Sequence, residues 1–313
     1  MKKWLLVTAV CLLILLFGAY FLIPGSVSIH QSLSTSVNPR SVQRVMLDDQ
    51  KLGKWWPGET QHTSGGQSFV YNGYTYSIID RKLTTVDFLV SKGNFSTNAS
   101  LNFIPLSLDS VQFSLVAEKS MSSMPVKRIQ TYFQATQLSK DFKALLQAMH
   151  SFFSNPVNIY DFPIEKTLVT DSILISTSRI SKGLPTTESV YELIEKLKTY
   201  AGSQGAKQTG YPMLNINTND SLTYLTRVAL PVDKKLPSSG DIEYRWMLGG
   251  GNILITEVKG GPGIMKAALH QMENYISDHN RIPPAIPFQS LITDRSKEKD
   301  TSKWITRIYY PVM

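Results

Sequence analysis

The 313-residue chain contains a single cysteine, Cys11, and that scarcity removes several chemistries at once. No intrachain disulfide can form, no thiol nucleophile follows residue 11, and no cysteine-ligated metal site can be built. A cysteine-free remainder suits an oxidising compartment without establishing one. Metal-ligand spacing is also missing. His30, His62 and His150 stand alone, whereas a zinc site needs ligands at short fixed intervals; each reads as structural or solvent-facing. Gly250-Gly251 and Gly260-Gly261 lack the spacing of a phosphate-binding loop, and no cofactor is expected. The formal net charge is +8, yet the basic residues are scattered and none of their runs interleaves with aromatics. Such charge reads as a solvated basic surface rather than a nucleic-acid footprint. A helix-turn-helix pattern is absent too.

One end of the chain is the opposite of sparse. Met1-Lys2-Lys3 precedes an apolar run over residues 4–23, ended by Pro24-Gly25. A helix crossing the bilayer core needs roughly 20 residues at about 1.5 Å each. The run predicts a membrane anchor over residues 1–25; a cleaved signal peptide and a buried helix are the alternatives. Lys2 and Lys3 on the cytoplasmic side would place residue 26 onward outside the cytoplasm, giving a single-pass membrane protein with an extracytoplasmic bulk. Asn94-Phe95-Ser96, Asn98-Ala99-Ser100 and Asn219-Asp220-Ser221 match glycosylation sequons, which matter only in a eukaryotic secretory pathway.

Residues 26–155 read as one domain. Alternation predicts a first strand over 27–33. Asn38-Pro39 opens a helix with Val42, Val45 and Met46 on one face, leading to Lys54-Trp55-Trp56-Pro57. Strands follow over 68–71, 74–79, 84–90, 99–104 and 110–119. Asn72-Gly73 joins the first two of these as a hairpin. A helix over 139–153 closes the unit, with Phe142, Leu145, Leu146, Met149, Phe152 and Phe153 along one stripe. The order strand, helix, tryptophan-rich turn, antiparallel strands and terminal helix resembles the START-like, polyketide-cyclase-type helix-grip family (SRPBCC). The resemblance implies a curved sheet gripping the last helix around an apolar cavity, and fixes no catalytic residue. Trp55 and Trp56 could gate that cavity or pack in the core.

Residues 160–313 carry an internal repeat. Ile173-Leu174-Ile175-Ser176 returns as Ile253-Leu254-Ile255-Thr256, and the segment Tyr224 to Val232 returns as Trp304 to Val312, at the same offset of 80 residues. Each half, about 160–235 and 240–313, reads strand, helix, strand, strand. The helical stripes are Val190, Leu193, Ile194, Leu197 and Ala201 in one half and Met265, Leu269, Met272 and Ile276 in the other. Segments at Ile164-Glu165 and Ile242-Glu243 extend the sheet. Two related halves about a pseudo-twofold axis create a groove, and grooves of that kind bind ligands. The expected fold class is thus α+β: an N-terminal transmembrane helix, a helix-grip domain, and a duplicated domain with a pseudo-twofold cleft.

Val258-Lys259-Gly260-Gly261-Pro262, the helix through Tyr275-Ile276, the turn from Ile282-Pro283 to Pro287 and the closing Thr306-Arg307-Ile308-Tyr309-Tyr310-Pro311-Val312 resemble the GyrI-like effector-binding domain, the ligand sensor of AraC-type and MerR-type regulators. The resemblance implies a cleft for small, often aromatic or cationic molecules; some members without a DNA-binding domain are hydrolases. Two positions depart from the family. Gln289 stands where members often carry a cation-facing glutamate, and Arg307 stands where they commonly carry an acid, with Arg227 its counterpart in the repeat. The cation trap is weakened, and a neutral or anionic ligand fits better. Arg227 and Arg307 either face the ligand or pair with local acids such as Glu257. The candidate ligand-binding set is Gln289, Tyr309, Arg307, Glu257, Arg227 and Trp246. The expected function is binding of a small hydrophobic or aromatic molecule at the membrane, through residues 4–23, without catalysis or nucleic acid. The alternative is a hydrolase, for which Glu257 beside Tyr309 is the only general-base pairing on offer.

Overall fold

The computed structural model describes residues 20–63, 66–170, 172–218 and 223–313, together with the single positions 4, 7, 8, 10, 11 and 18. The chain divides into two compact units, Met1–Asn155 and Pro156–Met313, each α+β and each built on one antiparallel sheet. The expected membrane-spanning helix requires correction. A span needs about 20 continuous apolar helical residues to match a hydrocarbon core of about 30 Å, and among the described residues no helix is long and apolar enough to cross a membrane. Much of the run 4–23 lies outside the described residues. The single-pass, extracytoplasmic placement and the membrane contact through residues 4–23 fall with that helix.

In the first unit, β1 (Ser26–Thr35) leads to α1 (Pro39–Leu47), whose amino end is capped by Asn38 accepting from Arg40 N. A short helix α2 (Asp49–Leu52) follows, then strands β2 (Glu59–Thr63), β3 (Gly66–Tyr71), β4 (Tyr74–Lys82), β5 (Thr85–Lys92), β6 (Phe95–Ser107) and β7 (Ser110–Ser120). The sheet runs β1-β7-β6-β5-β4-β3-β2. Asn72 (φ 50°) and Gly73 (φ 77°) make the tight turn between β3 and β4, the positive angles that a two-residue hairpin demands. Helix α3 (Pro125–Phe153) packs against β1 and β7 and buries Leu138, Phe142, Leu145, Leu146, Met149 and Phe153. It begins 14 residues before the stripe that marks it in sequence, because its first turns bury almost nothing.

The second unit opens with the short helix α4 (Pro156–Tyr160). Its first half then runs β8 (Glu165–Leu168), β9 (Ser172–Lys182), α5 (Thr187–Ser203), β10 (Met213–Thr218) and β11 (Thr223–Val232); the second runs β12 (Glu243–Met247), β13 (Asn252–Lys259), α6 (Pro262–Asp278), β14 (Phe288–Leu291) and β15 (Ile305–Pro311). The sheet order is β12-β9-β11-β10-β14-β15-β13-β8. Two features follow from it. First, the halves trade edge strands: β8 pairs with β13 and β12 pairs with β9. Second, the seam between halves is short, with only Met213↔Ser290 and Leu214↔Gln289 in register between β10 and β14.

Both helices lie on the same face of this sheet. Thr186 caps α5 by accepting from Ser189 N at 3.2 Å, and Val190, Leu193, Ile194, Leu197 and Ala201 recur at the helical period to meet Ile175, Val228 and Leu230. Pro262 starts α6, where a missing N–H costs nothing, and Met265, Ala268, Met272 and Ile276 pack on Leu254 and Ile308. The packing also refines the repeat. Leu174 matches Leu254 in sequence, but Ile175 is the residue that faces its helix as Leu254 does. Ile175 pairs with Leu230 and Leu254 with Tyr310. The first strand of the repeat is therefore slipped by one residue relative to the sequence match, which exchanges its two faces. An Ile-Leu-Ile run tolerates this because it is apolar on both sides.

Candidate functional site

A cavity of about 550 Å³ opens over the seam on the helical face, between α5 and α6. That volume lies within the range of small-molecule sites, roughly 300–1,000 Å³. Its walls are Val190 and Tyr191 of α5, Met265 and Leu269 of α6, and its floor includes Leu214, Leu291 and Ile308. The amino ends of both helices reach it, through Thr186 and Thr187 on one side and Pro262 on the other.

Gln289 lines this cleft. Its register partners are Leu214 and Ile308, so strand pairing fixes it on the helical face. Its Oε1 is buried and has no hydrogen-bond partner among the described residues. The other five candidates lie elsewhere. Arg307, Tyr309 and Glu257 alternate onto the face away from the helices. There Arg307 donates from Nη2 and Nε to Glu257 Oε2, at 2.7 Å and 3.2 Å. This bonding holds the guanidinium above its ordinary pKa. Tyr309 stacks on Phe288, with ring centres 4.9 Å apart and planes 10° from parallel. Arg227 lies on the same face, in a second hollow of about 550 Å³ bordered by Met213, Ser176 and Glu243, and donates to Asn215 Oδ1 at 3.4 Å. Trp246 is an exposed residue of the edge strand β12, paired with Ile173. The structure thus brings Glu257, Arg307 and Tyr309 together and separates Gln289 from them by the thickness of the sheet.

Trp55 and Trp56 are buried in the first unit. Trp56 packs on Phe69 and Tyr76, each 4.9 Å away between ring centres, and its Nε1 donates to Val70 O at 3.1 Å. Both indoles are core side chains.

Arg295 is the cleft residue that sequence reasoning missed. It sits among Asp294, Ser296, Lys297, Glu298, Lys299 and Asp300, a composition that reads as a solvated loop. Yet it is only 7% exposed and lines the cleft floor. Its backbone N–H donates to Tyr191 Oη at 2.6 Å, which pins the loop to α5. Its Nη2 donates to Thr306 Oγ1 at 2.7 Å, and the guanidinium lies 4.7 Å from the Trp304 ring centre. Burial pushes its pKa down and pushes the Tyr191 hydroxyl up. Nothing local in the sequence marks the position.

No protein-family model matches the chain, and no curated protein matches it. Solved structures do resemble it. The EcmrR C-terminal domain is 16% identical, with a TM-score of 0.42, over 49% of this chain and 98% of that one. A hydrolase from Listeria innocua is 11% identical, with a TM-score of 0.39, over 48% and 91%. The Zhui aromatase/cyclase from Streptomyces sp. R1128 is 9% identical, with a TM-score of 0.30, over 40% and 94%.

Proposed function

We propose that the second unit is a small-molecule binding module whose ligand, hydrophobic or aromatic, sits between α5 and α6 over the β10–β14 seam, and that it binds without catalysis and without nucleic acid. The observation that carries this reading is the cleft itself: a cavity of about 550 Å³ walled by Val190, Leu214, Leu269, Leu291 and Ile308, with Tyr191, Gln289 and Arg295 among the polar side chains that line it. Apolar walls with sparse, placed polar groups are the general make-up of ligand sites. The chemistry of the lining supports binding over turnover. Among the described residues that line it there is no Asp, Glu, His, Cys or Ser, so activation of water would lack the carboxylate or imidazole base that is the usual choice. Glu257, the base that a hydrolase reading would use, is engaged by Arg307 on the other face of the sheet.

Titration of the full chain with N-phenyl-1-naphthylamine, a neutral fluorescent aromatic, tests the reading. One probe per chain is expected, with binding weakened at least tenfold by Thr187→Trp, which fills the cleft mouth. Binding that ignores this substitution would remove the cleft from consideration. Hydrolysis of a p-nitrophenyl ester that Thr187→Trp abolishes would overturn the non-catalytic part.

A further inference from the structure

The charged groups of the cleft share one sign. Its charged lining residues are Lys266 and Arg295, and among the described residues no carboxylate joins them. Arg295 is the informative one. A buried guanidinium ordinarily has a carboxylate beside it, because an uncompensated charge in a low-dielectric site is costly. Here the described partners are Thr306 Oγ1, at 2.7 Å, the Met265 sulfur, at 3.2 Å, and the face of Trp304. Its Nε is buried without an acceptor among the described residues. A guanidinium offers five N–H donors and keeps its proton in proteins; most of those donors have no described acceptor.

Two further features point the same way. The amino ends of α5 and α6, 17 residues each, both border the cleft, and the α6 end has no side-chain cap. Unfilled N–H groups at a helix start favour an anion. Gln289, which lines the same cleft, is neutral and can present either N–H or C=O.

We propose that the cleft is specific for an anionic amphiphile, a small apolar or aromatic body bearing one oxyanion head such as a carboxylate or sulfonate, with Arg295 as the head-group contact and the walls of α5 and α6 around the body. The proposal rests on the binding reading above and narrows it to a ligand class. The head supplies the missing counter-charge, and the planar fork of the guanidinium suits a two-oxygen acceptor. Lys266, exposed on α6, adds long-range attraction at the entrance.

Two probes with one ring system separate the proposal from the reading beneath it: 1-anilinonaphthalene-8-sulfonate and the neutral N-phenyl-1-naphthylamine, titrated against the full chain by calorimetry. The sulfonate should bind roughly tenfold to a hundredfold more tightly, the worth of a desolvated charged hydrogen bond. Arg295→Gln should weaken the sulfonate far more than the amine and so abolish the preference between them. Arg295→Lys, which keeps the charge and loses the fork, should retain part of the preference, and it serves where the glutamine variant is unstable. Equal affinity of the unmodified protein for both probes, at a site that Thr187→Trp blocks, overturns the anion site and leaves the cleft standing. Equal loss of both probes in Arg295→Gln, with a lowered Tm, makes Arg295 a prop for Trp304 and also overturns it. Indifference of both probes to Thr187→Trp brings down the binding reading itself.

Discussion

Arg307 and Glu257 face each other across β15 and β13, one guanidinium gripping one carboxylate oxygen at 2.7 Å and 3.2 Å. The pair is a cross-strand clamp on the sheet face turned away from the helices, with both side chains partly exposed, 40% and 48%. Exposed pairs of this kind contribute less than about 1 kcal/mol. Replacing both, Arg307→Gln with Glu257→Gln, should therefore lower stability by under about 1 kcal/mol in urea denaturation. It should also leave affinity for the neutral naphthylamine within about twofold, since no direct contact is lost. A tenfold loss of affinity would mean that this face belongs to the site.

Gln289 should behave in the opposite way. Gln289→Glu introduces a carboxylate at the cleft floor beside the apolar walls. A flat aromatic cation such as ethidium should bind the unmodified protein poorly and the variant about tenfold or more better, while the sulfonate probe weakens by a similar factor. Unchanged preference for both probes would show that the charge at position 289 does not reach the ligand.

In the first unit, an added Cβ at Gly58 would overlap the carbonyl oxygen of Val70, the same oxygen that accepts from Trp56 Nε1. Gly58→Ala should cost about 1–3 kcal/mol, as substitutions that overpack a fixed backbone do, with a red shift in tryptophan emission as Trp56 loosens. Gly25→Ala, which meets nothing within 4 Å, is the control and should be near neutral. A neutral Gly58→Ala would show that the Trp56 turn can move aside.

Cutting the second unit near Lys235 should leave neither half folded. Each half would surrender an edge strand to its partner's absence, β8 having no β13 and β12 no β9, and the core residue Leu291 would be lost from the cluster on α5. Co-expression of the two halves should restore a soluble complex. Cooperative unfolding of either half alone would contradict this packing.

Local signals in the sequence are legible where one residue type settles one geometry. Asn72-Gly73 gives the hairpin and the Val190-to-Ala201 stripe gives α5. What stayed hidden depends on distant pairing. The strand β2, Glu-Thr-Gln-His-Thr, is polar and has no alternation to show. The one-residue slip of Ile173–Ser176 against its repeat is invisible in a run that is apolar on both faces. Alternation and the seam pairing together divide Gln289 from Arg307, and seam pairing cannot be read from either half. Arg295 is buried by Trp304, Met265 and Tyr191, none of which its neighbours in sequence announce. A long apolar run at the amino end likewise predicted a span that the described helices do not provide.

The traded edge strands have a consequence for the order in which the chain is made. Glu165–Leu168 leaves the ribosome more than 80 residues ahead of Asn252–Ile255, its only strand partner among the described residues. At roughly 5–20 residues per second, that is a wait of about 4 to 16 s with an open strand edge. Open edges invite pairing with other chains, and charge is the usual guard against it. Here the waiting segment is Glu165-Lys166-Thr167-Leu168, with all four side chains exposed even in the finished sheet. A nascent chain stalled before Asn252 should show this segment open to protease, and one released beyond Pro311 should not. The charges on β8 would thus guard a strand whose partner has yet to be synthesised.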